Sequence, residues 1–151
     1  MNWKTNLTWA LIVITATPLI IFIVPQFLGM NAYIINSSSM EPALNPGDIV
    51  YTEEVEPRNL EENDVIVFQP NQSRFDEKRV VHRIVSVNVT DTGYAFGTKG
   101  DANPAKDPGL TPDYRVIGVS IMSVPYIGYY IWFIESTPLI MMLVIIPAAI
   151  L

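Results

Sequence analysis

The chain contains no cysteine and only one histidine in 151 residues. Disulfides, thiolate catalysis and cysteine metal sites are therefore excluded, and so is any metal site built from several histidines. Charged residues are also scarce, at 16% of the chain compared with about 25% in an average soluble domain. Any chemistry must come from hydroxyls, carboxylates, one imidazole and a few Lys or Arg side chains, and we expect no metal and no cofactor.

The few charges are confined to the middle of the chain. Eight of the nine Lys and Arg residues and fourteen of the fifteen Asp and Glu residues lie between Asn36 and Ser120. The net charge of −6 belongs to this segment, whereas nucleic-acid binding requires clustered positive charge. Nucleic acid is therefore not an expected partner.

The same distribution of charge divides the chain. We predict three parts, which are an anchor at 1–30, a domain at 31–124 and a hydrophobic segment at 125–151.

The first apolar end has the length of a membrane span. Leu7 to Leu28 carries no charge and can form the helix of about 20 residues that crosses a bilayer. Pro18 and Pro25 interrupt the run and bulky side chains follow it, which favours a retained anchor over a cleaved signal. Lys4 is the only charge before it. The positive-inside bias therefore predicts a cell-membrane protein whose central domain is extracytoplasmic.

The second apolar end predicts a further membrane segment and makes membrane lipid an expected partner. Tyr and Trp side chains are grouped before an apolar run at 137–151, as at a membrane interface. The run has only 15 residues, and Glu135 before it would be costly inside a bilayer. The alternative is an amphipathic segment that lies at the interface.

The central segment is typical of β structure. Short runs of β-branched and aromatic residues alternate with clusters of Pro, Gly, Asn and Asp. Thr90 to Gly93 supplies a turn, so that the strands on either side should form a hairpin. We therefore predict a mainly β fold with a small all-β domain. Its candidate strands are Asp48–Glu53, Asp64–Gln69, Arg79–Val89, Tyr94–Lys99 and Tyr114–Met122.

A run of three serines, Ser37 to Ser39, follows the anchor and precedes Met40 and Pro42. A serine is a weak nucleophile unless a base takes its proton and donors stabilise the oxyanion that forms. Taken alone, the run is more simply a polar loop that leaves a membrane helix.

The single histidine, His82, lies in an apolar candidate strand. Period-two alternation places it on the same face as Ile84, and places Arg83 on the opposite face with Val85 and Val87. Histidine can act as base and then acid near neutral pH, although a lone histidine is more often a hydrogen-bonded core residue. An arginine on an apolar face indicates a carboxylate partner.

Two carboxylates lie in the Gly- and Pro-rich segment 97–108. Asp101 and Asp107 are six residues apart, and from spacing alone either could orient a histidine. The same composition also suits a solvated turn, because Asp and Asn form local hydrogen bonds in turns.

Taken together, four motifs resemble those of the type I signal peptidases. They are Ser-x-Ser-Met-x-Pro at 37–42, Pro-Gly-Asp-Ile-Val at 46–50, Val-His-Arg-Ile at 81–84, and Lys-Gly-Asp-x-Asn at 99–103 with a second Asp beyond. The resemblance covers Ser37 through Asp107. It is closest to the archaeal and endoplasmic-reticulum branch, which has a histidine where bacterial members carry a lysine base.

The resemblance implies a role for each matching residue. Ser39 would be the nucleophile, with its own backbone N–H and the Ser37 hydroxyl as oxyanion donors. His82 would be the general base, and Asp107 would orient it.

Other matching residues would have supporting roles. Asp101 would pair with Arg83, Met40 would flank the substrate pocket, and Pro42 would stiffen the serine loop. One departure is Ala102, where many members have Asn.

The resemblance therefore implies a membrane-bound serine endopeptidase that removes signal peptides from exported pre-proteins. Its partners would be those pre-proteins and the translocation channel from which they emerge. Two alternatives stay open. One is a related membrane serine protease with a different substrate class, and the other is a non-catalytic, membrane-tethered β-domain that binds a partner.

Overall fold

A computed structural model describes residues 3–70 and 78–136. Within these residues an apolar helix, α1, comes first, seven strands follow, and a short helix, α2, comes last. In chain order the elements are α1 (Trp3–Phe27), β1 (Asn31–Ile34), β2 (Ile49–Glu53), β3 (Val65–Phe68), β4 (Val80–Thr90), β5 (Gly93–Lys99), β6 (Thr111–Pro112), β7 (Val116–Val124) and α2 (Ile127–Ser136).

The seven strands form one antiparallel sheet in the order β1-β2-β7-β3-β4-β5-β6. The mainly β fold is confirmed, and all five candidate strands form with bounds within two residues of those predicted. The predicted hairpin also forms, with Thr90 opposite Gly93. The sequence analysis did not predict β1 and β6, because β1 has four residues and β6 only two, one of them a proline.

The β4 strand contains an irregularity that corrects one prediction. The pairing with β5 shifts register between Ile84 and Ser86. The extra residue reverses the alternation beyond it. Val87 consequently packs on the same core cluster as Ile84, not on the Arg83 face as the simple alternation predicted.

The N-terminal helix is long and apolar enough to cross a membrane. Its 25 residues correspond to about 37 Å. It ends in a Schellman motif, in which the Gly29 N–H donates to the Gln26 carbonyl (3.2 Å) and the Met30 N–H donates to that of Pro25 (3.1 Å). Gly29 has φ +83°, which favours glycine. The motif directs the chain from the helix into β1.

The predicted C-terminal segment is partly described. Its first part forms α2 at Ile127–Ser136, which packs through Ile131 against Ile49 and Tyr51 of β2. The predicted membrane run, residues 137–151, lies outside the described residues.

In the described part of the chain, three apolar clusters hold the fold together. One cluster lies between β3, β4 and β5, and a second lies beneath the Ser39 loop. The third joins the sheet to both helices. Their buried members are, in that order, Leu60, Ile66, Phe68, Ile84 and Phe96; Ile35, Met40, Leu44 and Val50; and Ile49, Tyr51 and Ile131.

Candidate active site

The loop between β1 and β2 carries the three serines. Its ends are closed by two backbone hydrogen bonds, from the Ile35 N–H to the Asp48 carbonyl and from the Gly47 N–H to the Ile35 carbonyl, both 2.8 Å. The buried Asp48 carboxylate accepts further bonds from the backbone N–H groups of Asn45 and Tyr126. The loop is thus tied both to itself and to the residue before α2.

The side chain of Met40 packs into the core at the base of this loop. Only 1% of Met40 is exposed, and it packs with Ile35, Leu44 and Val50. Pro42, two residues after Met40, is exposed and follows the cis peptide bond from Glu41. Met40 therefore supports the serine loop from inside the core, and its contact with a substrate stays a prediction.

Ser39, His82 and Asp107 are brought together from three separate parts of the chain. His82 Nδ1 lies 2.6 Å from Asp107 Oδ2, and His82 Nε2 lies 3.1 Å from Ser39 Oγ. A carboxylate only accepts, so Nδ1 carries the proton and donates to Asp107. Nε2 is then free to accept the proton of the Ser39 hydroxyl. His82 is 7% exposed, and its ring packs edge-on against Phe68.

Asp107 has a second donor that the sequence analysis did not identify. The Thr98 hydroxyl donates to Asp107 Oδ2 at 2.7 Å, and the Asp107 N–H donates to the Thr98 carbonyl at 2.8 Å. Thr98 is 1% exposed at the end of β5. The sequence did contain a signal for this contact. Thr98 lies two residues after Phe96 on a strand, so the two side chains share the buried face, and a buried hydroxyl needs a hydrogen-bond partner.

The expected oxyanion donors lie beside the serine hydroxyl. Ser37 Oγ is 3.3 Å from Ser39 Oγ, and both residues remain accessible to solvent. Across residues 3–70 and 78–136, the backbone N–H of Ser39 makes no hydrogen bond. It is therefore available to an incoming oxygen.

Arg83 and Asp101 form a bidentate pair, as expected from an arginine on the opposite face of β4. Arg83 Nε lies 2.8 Å from Asp101 Oδ1, and Nη2 lies 2.6 Å from Oδ2. A third donor, Nη1, reaches the Asn63 carbonyl at 2.9 Å. The hydrogen bonds from Arg83 hold the pKa of Asp101 below its usual value, and the same pair raises the pKa of Arg83.

The segment that carries Asp101 and Asp107 also touches the serine loop directly. The Ala102 N–H donates to the Ser39 carbonyl at 2.9 Å. A Cβ on Gly100 would lie 2.6 Å from that carbonyl oxygen, so this close approach requires glycine. Because the Ala102 contact uses its backbone, the replacement of the usual Asn leaves it intact. No group of three or more His, Asp or Glu residues in the described part of the chain could hold a metal ion.

A serine hydroxyl on a histidine nitrogen, with a carboxylate on the other nitrogen, is the arrangement of Ser-His-Asp hydrolases. Comparison with known proteins then identifies the family. The family model "Signal peptidase, peptidase S26" matches residues 6–91, which is more than half of the chain. The chain belongs to the signal peptidase family, peptidase S26.

The similar proteins come from distant organisms. Signal peptidase I W of Bacillus subtilis is 32% identical over 61% of this chain and 47% of its own length. The signal peptidase complex catalytic subunit SEC11 of Plasmodium falciparum is 30% identical over 71% of this chain and 60% of its own length. Human SEC11C is 29% identical over 63% and 52%. The chain thus spans about half the length of these curated relatives, and its archaeal-type assignment stays a prediction.

Proposed function

We propose that this chain is a membrane-bound serine endopeptidase that cleaves signal peptides from exported pre-proteins. The observation that carries the proposal is the hydrogen-bonded series from Ser39 through His82 to Asp107 in a chain of the peptidase S26 family. The names of the similar proteins support the reaction class.

In the proposed first step, Ser39 Oγ attacks the carbonyl carbon of the scissile peptide bond. His82 Nε2 takes the hydroxyl proton at 3.1 Å, and Asp107 stabilises the imidazolium that forms. The oxyanion accepts hydrogen bonds from the free Ser39 N–H and from the Ser37 hydroxyl, which turns from Ser39 Oγ toward the substrate.

His82 then gives its proton to the leaving amine, and an ester of Ser39 remains. In the second step His82 Nε2 removes a proton from water, which attacks the ester carbonyl. The bond between the acyl carbon and Ser39 Oγ then breaks, and the His82 imidazolium returns the proton to Oγ. The product leaves with its new carboxyl group and the Ser39 hydroxyl is restored. No metal or cofactor takes part in this scheme.

The apolar helix gives this site its substrate class. Signal peptides carry an apolar stretch followed by small residues at the cut. Only the short strand β1 separates the apolar helix from the loop that carries Ser39. Ser39 therefore lies near the membrane surface, where the scissile bond that follows the apolar stretch would also lie. The β1 strand lies at the edge of the sheet and precedes Ser39 by five residues, so an extended substrate can pair with it.

The proposed location is the cell membrane, with the β domain on the extracytoplasmic face. Lys4, in the first turn of α1, is the only charged side chain before the uncharged run from Leu7 to Leu28, which favours a cytoplasmic N-terminus. The proposed partners are pre-proteins, membrane lipid and the translocation channel. Because the SEC11 relatives are named as catalytic subunits of a complex, the chain should be assayed both purified and in native membranes.

The substrate class is tested with a model pre-protein that has Ala-x-Ala before the cut. We expect cleavage after the second Ala, and a stall when both Ala residues are replaced by large side chains. Ser39→Ala protein in the same membranes is the negative control, which measures cleavage by any other protease. Cleavage that ignores those replacements would indicate a membrane protease of a different substrate class. Binding of the pre-protein without cleavage would indicate a non-catalytic binding domain.

A further inference from the structure

One backbone carbonyl of the apolar helix is bonded by a side chain of the sheet. Pro25 has no N–H, so the carbonyl four residues earlier, that of Ile21, lacks its helical donor. The hydroxyl of Tyr51, in β2, donates to that Ile21 oxygen at 2.5 Å. A side chain of the β domain therefore supplies the hydrogen bond that Pro25 cannot donate to the Ile21 carbonyl.

This hydrogen bond lies in an apolar environment. The Tyr51 side chain is fully buried beside Ile49 and Ile131, and the cluster extends to Leu19 and Phe22 of α1. Burial raises the pKa of Tyr51, which keeps its hydroxyl protonated as a donor. In such surroundings an unpaired carbonyl and an unpaired phenol are both costly.

The surrounding contacts between α1 and the sheet are apolar. Such contacts favour association without specifying one arrangement, because apolar packing is not directional. A hydrogen bond has a required distance and angle, so the Tyr51 bond selects one height and rotation of the helix on the sheet. The chain then passes through the Gly29 motif and β1 to Ser39, which transmits that placement to the serine.

We propose that Tyr51 is a positioning residue whose bond to the Ile21 carbonyl fixes the height of Ser39 above the membrane and thereby selects the substrate bond that is cut. The selection of the bond rests on the proposed function. The mechanical part, a fixed placement of the helix on the sheet, does not.

The mechanical part is tested by a distance measurement. The chain has no cysteine, so spin labels can be attached at Ile14→Cys on α1 and Val89→Cys on β4, both exposed, without background labelling. In the full chain in lipid vesicles, Tyr51→Phe should broaden the distance distribution between the labels. The substitution keeps the aromatic ring and removes only the hydroxyl donor. Loss of this one hydrogen bond should lower the equilibrium preference for the arrangement in which α1 is docked on the sheet about fivefold. Tyr114→Phe, an exposed tyrosine, is the matched control.

A second variant separates the hydrogen bond from other effects of the phenol. Pro25→Ala gives the Ile21 carbonyl a helical donor of its own. In that background Tyr51→Phe should broaden the distribution less than it does in the natural chain. An unchanged width after Tyr51→Phe, or the same broadening with and without Pro25, would overturn the proposal.

The functional part is tested with a pre-protein whose apolar stretch is followed by a run of alanines, which allows cuts at several successive bonds. Mass spectrometry of the products should show that Tyr51→Phe spreads cleavage to neighbouring bonds, whereas Tyr114→Phe leaves the distribution unchanged. On a short soluble peptide the kcat of Tyr51→Phe should equal that of the natural chain. An unchanged cut site despite a broadened distance would overturn the selecting role. Cleavage that survives Ser39→Ala would instead overturn the proposed function.

Discussion

At the scale of single residues, Thr98 is the support on which the proposed general base depends. Asp107 Oδ2 accepts hydrogen bonds from both the His82 N–H and the Thr98 hydroxyl. Thr98 therefore holds the carboxylate in the position that orients the imidazole. An interaction of this kind, with a charged acceptor, contributes about 1.5–3 kcal/mol. Thr98 is therefore a positioning residue for the proposed catalytic group.

We expect Thr98→Val to lower kcat for pre-protein cleavage at least about tenfold with little change in KM, because the site would be less well aligned without losing substrate contacts. Steady-state kinetics in detergent would measure both constants. Thr111→Val replaces another buried threonine, on β6, and is the control. Equal kcat values for Thr98→Val and the natural chain would contradict the assignment.

The Arg83–Asp101 pair makes stability depend on pH. The pKa of Asp101 is lowered in the folded state by the Arg83 hydrogen bonds. The pair therefore stabilises the fold at pH values above the ordinary Asp pKa, and this contribution is lost as pH falls through the lower folded-state pKa.

Asp101→Asn should accordingly reduce the free energy of unfolding by about 1.5–3 kcal/mol at pH 7. The difference from the natural chain should shrink as the pH falls below about 3.9. Urea unfolding at a series of pH values would show this, with the exposed turn residue replaced in Asp91→Asn as control. A difference that stays constant down to pH 2 would contradict the ion pair.

At the scale of elements, the segment from Gly100 to Asp107 organises the site. It pairs with Arg83 through Asp101, touches the Ser39 carbonyl through the Ala102 N–H and reaches His82 through Asp107. One irregular loop thus connects the serine loop to β4. Its own fold depends on tertiary contacts, because Gly- and Pro-rich segments have little intrinsic preference for one conformation.

Gly100→Ala should disturb the serine without unfolding the domain. The added Cβ would lie 2.6 Å from the Ser39 carbonyl oxygen, so the loop carrying Ser39 must move. We expect at least about a tenfold loss of kcat, because small displacements of catalytic groups are costly. Gly109→Ala is the control, since its Cβ meets nothing within 4 Å and only its positive φ is strained. Full activity of Gly100→Ala would contradict the described contact.

β2 contains a buried hydroxyl, that of Thr52, beside a bulge in β7, where Tyr51 pairs with Met122 and Thr52 with Ser120. Thr52 is fully buried, and its Oγ1 has no hydrogen-bond partner among the described residues. Thr52→Val keeps the shape and removes the unpaired polar atom, so it should raise the free energy of unfolding by about 1 kcal/mol. Denaturant unfolding would measure the change. A loss of stability would show that the hydroxyl has a partner.

The strands with clear alternation could be predicted from sequence, whereas their irregularities could not. Period two correctly placed His82 with Ile84 and Arg83 on the opposite face, because burial of one sheet face enforces alternation. Beyond the bulge it failed for Val87. A single extra residue leaves no mark in the local composition, so its position depends on the partner strand.

At the scale of the whole molecule, the candidate site depends on contacts that are distant in sequence. The motifs could be recognised from resemblance, and with them Ser39, His82 and Asp107 as a set. Spacing alone could not assign Asp107 to His82 and Asp101 to Arg83, because both carboxylates lie in one loop. The two faces of β4 separate them in the structure.

The docking of the apolar helix on the sheet could not be predicted from sequence. Pro25 is visible as an interruption, but nothing local indicates that Tyr51 donates to the Ile21 carbonyl. That contact connects the part of the chain that can cross a membrane with the β domain that carries the site. The whole molecule therefore places Ser39, the proposed nucleophile, at a defined distance from an apolar helix.

The central claim is that Ser39, activated by His82, cleaves pre-proteins. The most direct measurement is the cleavage rate of one model pre-protein by the natural chain and by Ser39→Ala, His82→Ala and Ser38→Ala proteins in matched vesicles. The account predicts that Ser39→Ala and His82→Ala each lower the rate by at least about 10³-fold, while Ser38→Ala stays close to the natural rate. Retained cleavage by Ser39→Ala or His82→Ala would contradict it.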